Sequence, residues 1–69
     1  MITEERAVAI ARKECERQGQ IFAEPYIITR DMKRKVWEVV TNKKAKGGNA
    51  HIRIDQDTGH VVSTSFSRS

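Results

Sequence analysis

The sequence predicts an α+β fold in which one N-terminal helix packs on an antiparallel meander sheet of three to four strands. Apolar residues recur with a helical period before residue 19 and with a period of two after residue 21. Short polar turns separate the later runs, so consecutive strands are expected to pair as neighbours. A chain of 69 residues has room for a single small domain, residues 1–69.

The helix is expected to begin after Thr3, a good N-cap, because Glu4 and Glu5 then lie at the positive end of the helix dipole. Gly19 is expected to end the helix from the C′ position. The stripe facing the sheet is made mostly of small side chains: Ala7, Val8, Ala11 and Cys15, with Ile10 on its flank. The helix can therefore lie close to the sheet, and the thiol is interpreted as a packing group rather than a reactive one.

Four runs are predicted as strands: residues 24–29, 35–41, 50–55 and 60–66. Alternation directs one apolar set toward the helix: Trp37, Val39, Ile52 and Ile54. In the last strand, Val62, Thr64 and Phe66 are predicted to share one face. The turn before that strand contains Gly59, which is free to take a positive φ. The opposite face of the sheet stays partly open and carries Glu38, His51 and Arg53.

The net charge of +4 is concentrated in the middle of the chain, where residues 30–46 hold seven basic side chains against two acidic ones. Such a segment favours an acidic partner or a polyanion, although solvated lysine-rich turns are a plain alternative. Nucleic acid is disfavoured as a partner, because the few aromatic residues are needed in the core and leave no platform for base stacking.

No catalytic residue, cofactor site or metal site is predicted, and the chain is not expected to be an enzyme. Gly47 and Gly48 precede a strand rather than a helix, so they do not form a phosphate cradle. His51 and His60 flank a hairpin and can approach each other, but two imidazoles alone make a poor metal site. The nearby carboxylates are those of Asp55 and Asp57, and the turn itself accounts for the latter.

A cytoplasmic location is expected. A single cysteine suits a reducing compartment, because no disulfide can form within the chain. The first ten residues, MITEERAVAI, carry early acidic side chains and have neither the pattern of a signal peptide nor the length of a membrane span. Contact with a membrane is therefore not expected.

A family resemblance extends over nearly the whole chain. Its motifs are the helix opening ITEERAVAIA, the run EPYII, the Trp37–Val39 pair, and the final segment HIRIDQDTGHVV. These motifs resemble the small cystatin-like modules of the PepSY type. Together with Gly47 and Gly48, they resemble the bacterial NTF2-fold immunity proteins that neutralise toxins. Both resemblances imply a cystatin-like, PepSY-like or half-NTF2-like sheet with a helix across it, and neither implies a catalytic residue.

The immunity resemblance implies a non-enzymatic protein that occludes the surface of a cognate toxin. On this hypothesis Glu38, His51 and Arg53 supply polar contacts on the open sheet face. The charges that steer the approach come from three basic residues: Arg34, Lys35 and Lys44. A homodimer formed through strand edges is possible, because a second copy would bury more apolar area. The alternatives are a stand-alone PepSY-like regulatory module and a basic protein associated with nucleic acid.

Overall fold

A computed structural model describes residues 1–22, 24–41 and 49–67. One helix precedes four strands: α1 (Glu4–Arg17), β1 (Tyr26–Asp31), β2 (Val36–Thr41), β3 (Asn49–Asp55) and β4 (Val61–Ser67). The strands form one sheet in the order β1-β2-β3-β4, and all neighbours are antiparallel. The predicted α+β fold is confirmed, with all four strands present. Within the described residues, no helix is long and apolar enough to cross a lipid bilayer.

Both ends of α1 follow the predicted capping chemistry. At the start, the Thr3 hydroxyl accepts a hydrogen bond from the Arg6 backbone N–H at 3.1 Å. At the end, Gly19 has a φ of 70°. The Gln20 N–H then donates to the Cys15 carbonyl at 2.8 Å, which is the main-chain bond of a Schellman motif. The helix therefore ends just before a glycine in the left-handed conformation, as the sequence predicts.

The core lies between α1 and the face of the sheet that the helix covers. Strand pairing places Trp37 opposite Ile54 and Val39 opposite Ile52, so all four side chains share that face as predicted. The tryptophan is half-buried and packs against the core. The buried core residues come from the helix and from the two central strands: Ala7, Ala11, Cys15, Val39, Ala50, Ile52 and Ile54.

Beside the helix, the first residues after α1 cover the β1 end of the same face. Phe22 and Tyr26 pack with their ring centroids 5.3 Å apart, and the Arg12 guanidinium lies 4.5 Å from the centre of the Phe22 ring. Both rings, together with Ile28, pack against the buried core. The aromatic pair therefore extends the apolar layer over a strand with which α1 itself has little contact.

The buried side of α1 differs from the prediction at two positions. Val8 is half-buried and lies outside the core cluster, whereas Glu14 is only 9% exposed. The Glu14 carboxylate accepts hydrogen bonds from Arg17, at 3.0 Å from Nε, and from the Gln18 amide. The same amide lies 3.3 Å from the Thr64 hydroxyl, so α1 meets β4 through polar groups. A charged residue can be buried at this seam because its partners follow three and four positions later on the helix.

The predicted face of β4 is wrong at Val62. A bulge interrupts the pairing of β3 and β4, so that Ile54 lies opposite Val61 while Arg53 lies opposite Ser63. Val61 therefore packs against the core, and Val62 is 58% exposed. The extra residue restores the predicted alternation only from position 63 onward, which is why Thr64 does face the helix.

Main-chain hydrogen bonds join the N-terminus to two turns of the sheet. The Ile2 N–H donates to the Gln56 carbonyl at 2.7 Å, and the Gln56 N–H donates to the Lys35 carbonyl at 3.0 Å. Lys35 itself has a φ of 57°, a left-handed conformation that few side chains favour. Backbone hydrogen bonds thus connect the N-terminus, the β1–β2 turn and the β3–β4 turn at one end of the sheet.

Candidate functional site

The open face of the sheet, which α1 does not cover, carries rows of side chains that run across the strands, and two of these rows lie side by side at its centre. Strand pairing defines a polar row: Thr29, Glu38, Arg53 and Ser63. The adjacent row begins apolar and ends polar: Ile27, Val40, His51 and Ser65. The three residues predicted for partner binding on this face therefore lie side by side on β2 and β3.

Arg53 is held in place by an ion pair across the sheet. Its Nε lies 3.0 Å from Oε2 of Glu38, and the two side chains are 42% and 29% exposed. Because a guanidinium has five N–H donors, an interaction through Nε leaves its other N–H groups able to meet a ligand. The pair is too exposed to contribute much to stability, and its main effect is to orient the guanidinium.

A shallow cleft lies beside this ion pair, toward the β4 edge. Its volume is about 350 Å³, and it is lined by His51, Arg53, Ser63 and Ser65. The cleft exists because serine side chains are short, whereas the neighbours on β3 are long. A guanidinium, an imidazole and two hydroxyls offer several hydrogen-bond donors, which suits a carboxylate or another acidic group.

The row that begins with Ile27 is apolar toward β1. Ile27 is 42% exposed, while Val40 next to it is only 8% exposed. This row therefore changes from apolar at the β1 edge to polar at the β4 edge, whereas the row of Thr29 is polar throughout. Sequence reasoning named only polar residues on this face and missed the change along the Ile27 row, although the alternation in IIT and VVT contains it.

The basic residues predicted to steer a partner do not all lie at this cleft. Arg34 and Lys35 belong to the turn between β1 and β2, where Arg34 Nε lies 3.9 Å from Oδ2 of Asp31. The Lys35 carbonyl accepts a hydrogen bond from Gln56, which brings the acidic β3–β4 turn next to this one. The charge at this end of the sheet is therefore mixed. Lys44 lies outside the described residues, and its steering role stays a prediction.

The two histidines lie at opposite ends of the β3–β4 hairpin, so the approach that the hairpin would have allowed does not occur. His51 pairs with Ser65, whereas the His60 carbonyl accepts a hydrogen bond from the Asp55 N–H at 2.8 Å next to the turn. Within residues 1–22, 24–41 and 49–67, no group of three or more His, Cys, Asp and Glu side chains could hold a metal ion. Gly47 and Gly48, for which a phosphate cradle was rejected, lie outside those ranges.

The turn role assigned to Asp57 belongs instead to Asp55. One Asp55 carboxylate oxygen accepts hydrogen bonds from the backbone N–H groups of Asp57, at 2.8 Å, and Thr58, at 2.9 Å. The Thr58 and Asp57 N–H groups stabilise the charged form and lower the pKa of this carboxyl. Asp55 therefore shapes the turn and is not a site residue.

The buried thiol has the environment of a packing group. Cys15 is fully buried, and burial raises the pKa of its thiol, with the nearby Glu14 charge acting in the same direction. A raised pKa keeps the thiol protonated and weakly nucleophilic. The interpretation of Cys15 as a packing residue agrees with this environment.

Ser63 and Ser65 are site residues that sequence reasoning missed. The signal was present in VVSTSFS, where serines alternate with Thr64 and Phe66. Strict alternation with Thr64 and Phe66 already places both serines on the opposite face, but sequence reasoning named only Glu38, His51 and Arg53 there.

Comparison with known families agrees with this architecture. The model of the PepSY family, described as the peptidase propeptide and YPEB domain, matches residues 1–64. The chain belongs to the PepSY family. The PepSY part of the predicted resemblance is thus confirmed, and membership points to a regulatory or inhibitory module. No curated protein and no solved structure matches the chain. The resemblance to NTF2-fold immunity proteins stays a prediction.

Proposed function

We propose that this PepSY chain is a non-catalytic inhibitory module that binds one enzyme and blocks its action by covering part of its surface. The observation that carries the proposal is the family match over residues 1–64, because PepSY domains are generally propeptide-like or inhibitor-like. The open sheet face supports it, since Arg53 and Glu38 present oriented charges on a surface that α1 leaves uncovered.

The enzyme that this module blocks is proposed to be a peptidase, since the family description refers to peptidase propeptides. A bacterial toxin, the target that the immunity resemblance implies, is the second candidate. In both cases the contacts would come from Glu38, His51 and Arg53. Electrostatic complementarity would then act mainly on the rate of association and on the choice of partner.

The test is an inhibition assay with the purified enzyme encoded next to the gene for this chain. We expect its activity to fall in proportion to added chain until the two are equimolar. Arg53→Glu should raise the inhibition constant about tenfold or more, because it replaces a contact with a repulsion. Lys13→Glu makes the same change in charge on the outer, exposed side of α1 and should leave inhibition unchanged.

A toxin is tested separately by growth. If the neighbouring gene encodes one, co-expression of the chain should restore growth, and Arg53→Glu should weaken the rescue. Full enzyme activity at a tenfold molar excess of the chain, together with no rescue of growth, would refute the inhibitory function.

A further inference from the structure

The two edges of the sheet differ in how they are protected against an added strand. β1 at one edge follows Pro25 and contains Arg30 and Asp31, which are residue types that discourage edge pairing. β4 at the other edge contains neither a charged residue nor a proline. Among the described strands, β4 has a neighbour on one side only, which is β3. The β4 edge is therefore the more receptive of the two.

The bulge divides this edge into two parts. Near Val62 the strand is irregular, and such a bulge bends an edge away from a partner. From Ser63 to Ser67 the pairing with β3 is regular. A strand that adds to β4 would thus find a straight segment of about five residues, and this segment includes both serines of the cleft.

The cleft lies where side chains of such an added strand would point. Alternate side chains of a fifth strand would face the same side as Ser63 and Ser65, because side chains alternate with a period of two. The distance from that strand to β3 is two strand spacings, about 9.6 Å. The long Arg53 side chain reaches toward the added strand, and a glutamate of that strand reaches back over a short serine. Together the two side chains can span this distance.

We propose that the β4 edge binds an extended segment of a protein partner as a fifth strand, and that an acidic side chain of this segment enters the cleft lined by His51, Arg53, Ser63 and Ser65. Main-chain hydrogen bonds supply the affinity, and the cleft supplies the preference for acid. The inference rests on the proposed function only in requiring a protein partner, and it names the chemistry of that partner.

A second copy of the chain suits this site less well than an acidic partner. β4 carries no acidic residue, so pairing of two β4 edges would offer nothing to Arg53. The other edge strand contains Asp31, but one oxygen of its carboxylate already accepts hydrogen bonds from the Lys33 and Arg34 N–H groups, at 3.0 and 3.1 Å. A homodimer would therefore leave the cleft without its acidic group.

The test uses three synthetic octapeptides of alternating threonine and valine. The first has a central glutamate, the second has glutamine in its place, and the third is the glutamate peptide with N-methyl groups on alternate residues along one edge. Amide NMR shifts are followed during titration. We expect saturable binding of the glutamate peptide with the largest shifts in Ser63–Ser67, binding at least about fivefold weaker for the glutamine peptide, and none for the N-methylated peptide.

Variants separate the cleft from net charge. Arg53→Gln should abolish the preference for glutamate over glutamine. Lys33→Gln removes the same charge in the β1–β2 turn and should keep that preference. Equal affinity for the two peptides, largest shifts in β1, binding of the N-methylated peptide, or a homodimer through β4 in sedimentation would each overturn the inference.

The peptide assay contains no enzyme, so its result is independent of inhibition. If the glutamate peptide binds β4 and the neighbouring enzyme is not inhibited, the proposed function fails and the site stands. If the glutamate peptide does not bind, or binds no better than the glutamine peptide, and the enzyme is still inhibited, the site fails and the proposed function stands.

Discussion

The two faces of the sheet are built from different kinds of interaction. On the covered face, Val39, Ile52 and Ile54 are fully buried, and two alanines of α1 allow the helix to approach closely. On the open face, Arg53 and Glu38 form an ion pair that is partly exposed to solvent. The size and shape of apolar side chains determine which residues fit the covered face, whereas charge and hydrogen bonding determine the arrangement of residues on the open face.

On the proposed function, this difference separates the face that stabilises the fold from the face that binds a partner. A domain of this size is marginally stable, so loss of packing on the covered face threatens the whole fold. Exposed polar groups contribute little to stability and can therefore change with the partner. Substitutions on the covered face should accordingly change the free energy of unfolding, whereas substitutions on the open face should change the affinity for a partner.

The largest effect on stability is expected from Ile52→Ala in the centre of the covered face. Truncation of a fully buried isoleucine loses its transfer free energy and leaves a cavity, which costs about 2–5 kcal/mol. Urea unfolding followed by circular dichroism measures the change. Val62→Ala, at a position 58% exposed, is the control and should cost less than about 0.5 kcal/mol. Similar losses in the two variants would contradict the division between the faces.

A smaller effect is expected where the hairpin turn meets the helix. Gly59 has a φ of 79°, and a Cβ there would lie 3.2 Å from Cδ1 of Ile10. Gly59→Ala should therefore destabilise by about 1–2 kcal/mol, through left-handed backbone strain and this close contact.

Gly19→Ala separates the two causes in the Gly59 variant. Gly19 has a φ of 70°, but a Cβ there would meet nothing within 4 Å. The Gly19→Ala variant should therefore lose only the stability that depends on the left-handed backbone, about 1 kcal/mol, in the same urea assay. A larger loss at Gly19 than at Gly59 would show that the turn does not pack on α1 as described.

The polar seam between α1 and β4 should make stability depend on pH. Hydrogen bonds from Arg17 and then Gln18 lower the pKa of Glu14 in the folded state. Its contribution is therefore complete above the ordinary glutamate pKa of about 4.3 and is lost as the pH falls through the lower folded-state pKa.

Comparison with Glu14→Gln isolates this contribution. Because Asp55 titrates in both proteins, the difference in urea midpoint between wild type and variant reports on Glu14 alone. We expect wild type to be the more stable protein at pH 7 and the difference to shrink toward pH 2. A difference that stays constant between these pH values would disprove the role of the Glu14 charge.

The smallest effect on stability is expected on the open face. Glu38→Gln and Arg53→Gln each remove an exposed ion pair and should cost less than about 1 kcal/mol. The same Arg53 change should remove the preference for an acidic peptide. Thermal unfolding and peptide titration on one protein preparation provide both measurements. A large drop in stability from Arg53→Gln would show that the open face is part of the core.

Much of the fold was predictable from the sequence because its signals are local. The Thr3 cap, the left-handed Gly19 and the alternation in AHIRID each depend on residues within a few positions of one another. Pairing of Trp37 with Ile54 followed, because short turns leave consecutive strands little choice of neighbour. The open face of Glu38, His51 and Arg53 was located for the same reason.

The errors arose where contacts are not local or where the period breaks. The bulge at Val62 places Val61, instead of Val62, on the face that packs against the core. No residue type in VVSTSFS indicates that a bulge occurs there. Glu14 is buried where the end of α1 meets β4, and the Gln18 amide that donates to it also reaches Thr64, across 46 positions. The cleft depends on the bulge, because the register after the bulge brings Ser63 opposite Arg53 and Ser65 opposite His51.

The bonds that join Ile2, Gln56 and Lys35 use backbone atoms only. Position 56 can therefore vary without loosening that end of the sheet, except to proline, which lacks the donated hydrogen. Positions 2 and 35 are more restricted, because the Ile2 side chain packs against the core and Lys35 has a left-handed backbone that proline and β-branched residues do not favour. Natural variation at this end of the sheet is therefore expected to concentrate at position 56.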